Sequence, residues 1–249
     1  MNTIAIFSDV HGNLPALETV LADIRNRNIN QLYCLGDLID FAPWHNEVIR
    51  TIRDLGIPCL MGNHDERIAF NLDITPLLKH NPTEAAARNA AINYSKQSIA
   101  PDCKEYLSQL PEHLRLTISQ SGKETDILLV HGSTRSNNEY IYEEHDIDDI
   151  RKMLNDSQAD MVIMGHTHKS YIRTVPATAD SKGGMAINCG SVGRSREGQP
   201  LASYLILEID EEGIRPEIIQ IPYPVTAVIE AIRKSDIPDF YAEFLMQTI

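Results

Sequence analysis

Residues 3–27 read TIAIFSDVHGNLPALETVLADIRNR. Thr3 to Phe7 form a short apolar run suited to a buried strand, and from Leu14 apolar side chains recur at 14, 17, 20, 21 and 24, the spacing of one helical face. Between the two stand Asp9 and His11, polar residues where a strand ends. The unit then repeats, with QLYCL (31–35) as a strand, NEVIRTIRDLG as a helix closed by Gly56, and PCLM (58–61) as a strand. Strand, helix and strand joined by short links predict a parallel sheet of βαβ units.

Outward from this start the texture changes. From about 66 to 110, TEAAARNAAINYSKQSI and PDCKEYLSQLP read as two helices with Pro101 between them and Thr83 as cap of the first. They are expected to form a cap-like insertion leaning over the face where the first strands end. Beyond Pro111 come LRLTIS (114–119), DILLVHG (126–132), the helix DIDDIRKMLN, MVIMGH (161–166), and then SYIRTVP, GMAINCGS, ASYLILEID and IRPEIIQI, predicted as a mostly antiparallel sheet. PVTAVIEAIRKS and DFYAEFLMQTI read as helices packed on the outside. A chain of 249 residues can bury one good core, so a single domain is expected over 1–249.

Composition narrows the function. Hydrophobic residues make up 43% and charged residues 23%, the profile of an ordinary globular protein. The start lacks a basic region followed by a long apolar run, so no signal peptide is expected, and the apolar runs are too short to span a bilayer. Cys34, Cys59, Cys103 and Cys189 are scattered without a C-x-x-C pair, which predicts buried thiols in a reducing cytoplasm. A net charge of −13 disfavours stable binding to nucleic acid or anionic membranes. A bound dication would reverse that sign locally, so an anionic substrate is still compatible.

Five strand ends carry one kind of chemistry: Asp9-Val10-His11, Gly36-Asp37, Gly62-Asn63-His64-Asp65, His131-Gly132 and Gly165-His166-Thr167-His168. Ligands of α/β sheets bind beyond the carboxyl ends of strands, and five of the nine histidines sit there. Carboxylate and imidazole without thiolate argue against a structural zinc knot and suit Mn²⁺, Fe or Zn²⁺ with open coordination positions. Asp9, Asp37, Asn63, His11, His131, His166 and His168 are more ligands than one ion can use, which predicts two ions sharing a carboxylate. His45, His80, His113 and His145 fit no motif and read as surface residues, His80 being the one to test for substrate contact.

These five blocks resemble those of the calcineurin-like metallophosphoesterases. SDVHGNLPALETVL, CLGDLIDFAPWHNEV, LLVHGS, MGHTH and INCGSVGRSREGQPLASY are further similar to the small bacterial and archaeal branch of YfcE-type phosphodiesterases and diadenosine tetraphosphatase-like proteins, over roughly residues 3 to 210. The resemblance implies a four-layer α/β sandwich with two facing mixed sheets. It puts Asp9, His11 and His168 on one ion, Asn63, His131 and His166 on the other, and Asp37 between them. His64 takes the place of the general acid beside the leaving group, and Asp40 that of the carboxylate orienting it. Asn13 and Asn188 resemble asparagines that line or brace the site, and Arg194 and Arg196 are candidate substrate contacts.

The activity implied is hydrolysis of a phosphate ester, a phosphodiester or nucleotide-type substrate, by a metal-bridging hydroxide. Two divalent ions are expected, Mn²⁺ first, with Fe, Zn, Ni or Co compatible. Protein phosphatases of the family carry an arginine where this chain has Phe41, so a Ser/Thr protein phosphatase or phosphomonoesterase ranks second. A non-catalytic scaffold ranks last, because scaffolds of this fold have lost key histidines that are kept here.

Overall fold

The computed structural model describes residues 2–76, 81–120 and 122–246. Its first strand β1 (Asn2–Phe7) leads into α1 (Leu14–Asn26), then β2 (Gln31–Cys34) and α2 (His45–Asp54). Three helices follow: α3 (Asn63–Ala69), α4 (Pro82–Ser98) and α5 (Pro101–Ser108). The remainder comprises β3 (His113–Gln120), β4 (Lys123–Val130), α6 (Ile147–Ser157), β5 (Met161–Met164), β6 (Tyr171–Val175), β7 (Gly184–Asn188), β8 (Leu201–Asp210), β9 (Gly213–Pro222), α7 (Val225–Arg233) and α8 (Phe240–Met246).

Two mixed sheets result, ordered β2-β1-β8-β9 and β3-β4-β5-β7-β6. In the first, β1 pairs parallel with β2 and antiparallel with β8; in the second, β4, β5 and β7 run parallel while β3 and β6 flank them antiparallel. The second half of the chain therefore does not form one mostly antiparallel sheet. Its long hairpin β8–β9 leaves it to complete the sheet begun by β1, with Ile4 opposite Leu207 and Ile6 opposite Leu205.

The alternation of side chains along each strand creates the layers. Ile4 and Ile6 of β1 join Leu205, Leu207, Ile127, Leu129 and Ile163 in the core between the sheets. Ala5 and Phe7 point the other way, into a core shared with α1, α2, α5, α7 and α8. On the far side Leu128, Val130, Val162 and Met164 meet Ile150, Met153 and Leu154 of α6. Helices, sheet, sheet and helix make the four-layer α/β sandwich. Phe7 is fully buried, and truncating it to Ala would cost about 3–5 kcal/mol.

Several local expectations are corrected. PCLM is not a ladder strand: it makes one isolated bridge, Cys34 to Cys59, because Pro58 has no N–H to donate and the Met61 N–H turns away to Pro111 O. α4 is capped by Asn81, not Thr83, in a reciprocal box with Glu84: Asn81 Oδ1 accepts from Glu84 N and Glu84 Oε2 from Asn81 N, both at 2.9 Å. His45 is buried rather than on the surface, its ring against Tyr94 and its Nε2 3.2 Å from Ser98 Oγ. His80 lies outside the described residues. All four cysteines are buried free thiols, and no helix among the described residues is long and apolar enough to cross a membrane.

Candidate metal centre and cleft

The five predicted strand-end blocks converge at one edge of the two sheets. Asp9, His11 and His168 bring one ligand atom each to within 4.8 Å of one another, and so do Asp37, His131 and His166, and His11, Asp37 and His64. Asn63 joins the second group, with Oδ1 3.1 Å from His131 Nε2. The two carboxylates and four imidazoles of the expected ligand set are all buried.

Unusual backbone geometry makes this possible. Ten described non-glycine residues have positive φ, and seven of them are Asp9, His11, Asp37, Asp40, Phe41, His166 and His168. Left-handed residues of this kind cluster where a site over-determines them, at about 1–3 kcal/mol each. The consequence is plain in Gly165-His166-Thr167-His168. Residues two apart in a strand would share a face but diverge once the strand ends; here His166 (φ 65°) and His168 (φ 60°) each reverse the chain, and both rings enter the cluster. Gly165 contributes closeness to this turn. A Cβ there would lie 2.2 Å from Ser8 Oγ and 2.5 Å from Asp9 Oδ2.

Five of the seven candidate ligands, Asp9, Asp37, His11, His131 and His168, are aimed by a second bond from the same side chain. Asp9 Oδ2 accepts from His166 N (2.9 Å), leaving Oδ1 buried with no hydrogen-bond partner; Asp37 Oδ1 accepts from His64 N (2.8 Å), leaving Oδ2 toward the imidazoles. The Nδ1 atoms of His11, His131 and His168 donate to Ile39 O, Leu35 O and Arg194 O at 2.9, 2.8 and 2.7 Å, so their Nε2 atoms face inward. His11 Nε2 and His168 Nε2 are 3.0 Å apart, and His166 Nε2 is buried without a partner. Inward lone pairs from imidazoles and a free carboxylate oxygen suit divalent cations and little else.

Electrostatics point the same way. Burial pushes the pKa of His166 down to about 3 and those of His11 and His168 well below the usual imidazole range, keeping these rings neutral. Against the cost of burial, the Asp37 carboxylate lifts His131 to about 10, a proton held where a cation would otherwise sit. Burial and then Asp37 push Asp65 up to about 8. Asp65 carried no assigned role, yet it accepts from Asp37 N, Gly62 N and Leu38 N at 2.7, 3.0 and 2.9 Å and so fixes the two loops that present Asp37 and Asn63.

His64 is set apart. Its side chain keeps 13% exposure, and Nδ1 lies 2.5 Å from Asp40 Oδ2, which is fully buried and itself 3.9 Å from Arg67 Nη1. This leaves Nε2 toward the cleft, 3.9 Å from Asp37 Oδ2. Asn13 and Asn188 are buried and spent on backbone: Asn13 Nδ2 donates to Gly193 O (3.0 Å) and Asn188 Nδ2 to Gly165 O (2.6 Å). They occupy bracing positions and do not line the cleft.

The cleft has a volume of about 420 Å³ and is lined by Asp37, Phe41, His64, Glu84, Arg88, Tyr140, Tyr142, His166, His168, Arg194, Arg196, Phe240, Tyr241 and Phe244. Arg194 and Arg196 are therefore at the site, and Glu84 and Arg88 bring α4 to its rim. Sequence reasoning missed Arg88, both tyrosines and all of α8. The C-terminal helices do not simply coat the outside: Tyr241 packs on Phe41 with ring centroids 4.7 Å apart, and Tyr140 lies 4.0 Å from the His166 ring. Nothing in a helix-period pattern tells which surface its apolar face will cover.

Comparison with known proteins decides the family. The profile of the calcineurin-like phosphoesterase superfamily domain matches residues 2–212. This chain belongs to that superfamily. It is thereby a metal-dependent hydrolase of phosphate esters, and the His/Asp clusters described above are where this phosphoesterase can hold divalent ions. An uncharacterized protein of Methanocaldococcus jannaschii is 29% identical over 253 residues, covering 97% of this chain and 96% of its own. The crystal structure of a metallophosphoesterase from Sphaerobacter thermophilus is similar over 100% of this chain and 99% of that one, with a TM-score of 0.77 at 26% identity. A symmetrical bis(5'-nucleosyl)-tetraphosphatase from Psychromonas ingrahamii is 32% identical over 109 residues, 42% of this chain and 36% of that protein.

Proposed function

We propose that this phosphoesterase is dinuclear and acts on phosphodiester or nucleotide-type substrates. The observation that carries the reading is the sharing of Asp37: it belongs both to the group with His131 and His166 and to the group with His11 and His64. Asp9, His11 and His168 would hold one ion, Asn63, His131 and His166 the other, with Asp37 between. Such ions, Mn²⁺ foremost and Fe, Zn, Ni or Co by the same ligand chemistry, supply positive charge for the phosphoryl oxygens and acidify water.

The chain's own residues do the rest. His64, with Nδ1 tied to Asp40, presents Nε2–H to the leaving oxygen and gives up that proton as the ester bond breaks. The acid is the imidazolium, Nδ1–H donating to Asp40, which orients the ring, and Nε2–H facing the leaving oxygen; against burial, the hydrogen bond and charge of His64 keep the Asp40 carboxyl below the usual range. Phe41 excludes water behind His64, with ring centroids 5.1 Å apart. No protein nucleophile is needed, and none of the four cysteines lines the cleft.

A Ser/Thr protein phosphatase is the second reading, and Phe41 in the place of an arginine counts against it. The partner is a phosphorylated small molecule or nucleotide rather than a nucleic-acid chain or a membrane, as the net charge of −13 favours, and four buried free thiols accord with a reducing cytoplasm. The test is one panel on the Mn²⁺-loaded protein: bis(p-nitrophenyl) phosphate, a dinucleoside polyphosphate and a phosphopeptide, with metal content measured alongside. Hydrolysis of either of the first two with two ions bound is expected. Faster turnover of the phosphopeptide reverses the ranking, and one ion per chain at full activity removes the dinuclear reading.

A further inference from the structure

Arg88, Arg194 and Arg196 reach the same cleft from two separate parts of the chain. In a protein with 35 acidic residues, none of the three forms an ion pair among the described residues, whereas Arg27, Arg50, Arg53, Arg135, Arg151 and Arg215 all do. The acidic groups nearby are already engaged: Glu84 accepts from Asn81 N, and Asp40 holds His64. Crowded guanidiniums without counter-charge are costly unless an anion joins them.

The Arg88 and Arg194 side chains are held in place, and the backbone that carries Arg196 is fixed. Arg88 is 8% exposed and donates from Nη1 to Thr75 O at 3.0 Å. The Arg194 guanidinium carbon lies 4.5 Å from the Phe41 ring centroid, 4.4 Å from Phe244 and 5.4 Å from Tyr241, a cation–π cage on three sides. Its Nε is buried without a hydrogen-bond partner. The loop carrying Arg194 and Arg196 is registered to the metal centre, since His168 Nδ1 donates to Arg194 O at 2.7 Å and Arg196 N to His168 O at 3.1 Å.

We propose that Arg88, Arg194 and Arg196 form one anion subsite beside the metal-ligand cluster that takes a second phosphoryl group of the substrate, and that α8 sets this subsite by caging Arg194. The proposal rests on the phosphoesterase reading above and deepens it by naming the residues that would select, among its substrates, compounds with two or more linked phosphoryl groups. Guanidiniums converging from α4 and from the 194–196 loop offer donors in several directions, which suits a tetrahedral, multiply charged group; a flat carboxylate is satisfied by a single arginine fork. Two of the three cage rings, Tyr241 and Phe244, lie beyond residue 212, outside the stretch matched by the family profile.

The test is calorimetric binding of ADP and of AMP to the Mn²⁺-loaded protein, with Mn²⁺ in excess. The wild type is expected to bind ADP about ten- to a hundredfold more tightly than AMP, the worth of one or two hydrogen bonds to charged groups. Arg88→Gln and Arg196→Gln, on separate elements, should each shrink that ratio severalfold; Arg196→Lys should retain part of it, and Phe244→Ala should reduce it through the cage. Equal affinities in the wild type, or a ratio that both Gln variants leave unchanged, overturns the subsite. Turnover of bis(p-nitrophenyl) phosphate by the same preparation reads the phosphoesterase assignment separately, so failure of one is distinguishable from failure of the other.

Discussion

The two walls of the cleft are built on different principles. On the sheet side, Asp9, Asp37, His11, His131 and His168 each have one polar atom bonded to a backbone group and another aimed inward. On the helical side, Arg194 is held by the faces of three aromatic rings, and α8 meets the site through Tyr241 and Phe244. Backbone-anchored ligands tolerate little change, because moving one moves a strand end. A wall of side-chain contacts can be exchanged ring by ring. On the proposed reading, reaction chemistry lies with the rigid wall and substrate choice with the exchangeable one.

The strongest way to break this comparison is Asp37→Ala, which should remove both ions, as read by metal analysis, and take turnover below detection. If one full equivalent of metal and measurable turnover survive, Asp37 is not shared. Next in size is His64→Ala: metal content should be unchanged while turnover of an ester with a poor leaving group falls about a hundred- to ten-thousandfold. Near-normal turnover would remove its role as acid. Asp65→Asn, at a residue that does not itself line the cleft, should weaken metal affinity about ten- to a hundredfold, because Asp65 braces the loops that present Asp37 and Asn63.

The pH dependence of metal uptake follows from His131. Its folded pKa is raised to about 10, so below that value the metal-free site carries a proton that the cation must displace. Apparent affinity should therefore rise with pH through the neutral range, with proton release visible in calorimetry run in two buffers; affinity independent of pH would contradict it. The smallest effect on metal is expected from Phe244→Ala, which should lose about 1–3 kcal/mol of stability and no metal. Lost metal there would show that the two walls are not separable.

How much was legible follows the same division. The sheet-side blocks were readable because strand ends with Asp, Asn and His are local in sequence, and the alternation that sorts Ile4 and Ile6 from Ala5 and Phe7 is carried by the chain itself. Arg88 has no local signal that separates it from a solvated helical arginine; only the placement of α4 at the cleft rim does so. His45 reads as a surface residue in the sequence because nothing local shows that Tyr94 and Ser98 close over it. PCLM kept a strand's composition while Pro58 and the turn of Met61 toward Pro111 denied it a ladder. The exchange of β8 and β9 between halves depends on contacts some two hundred residues apart, which no window of sequence can display.

The seven left-handed residues around the site also set an order of events. Local preference opposes each of these turns, so none forms until both sheets are in place to hold it. During refolding, far-UV ellipticity should therefore recover before Mn²⁺ is taken up, and the ion becomes a clock for the last step of assembly.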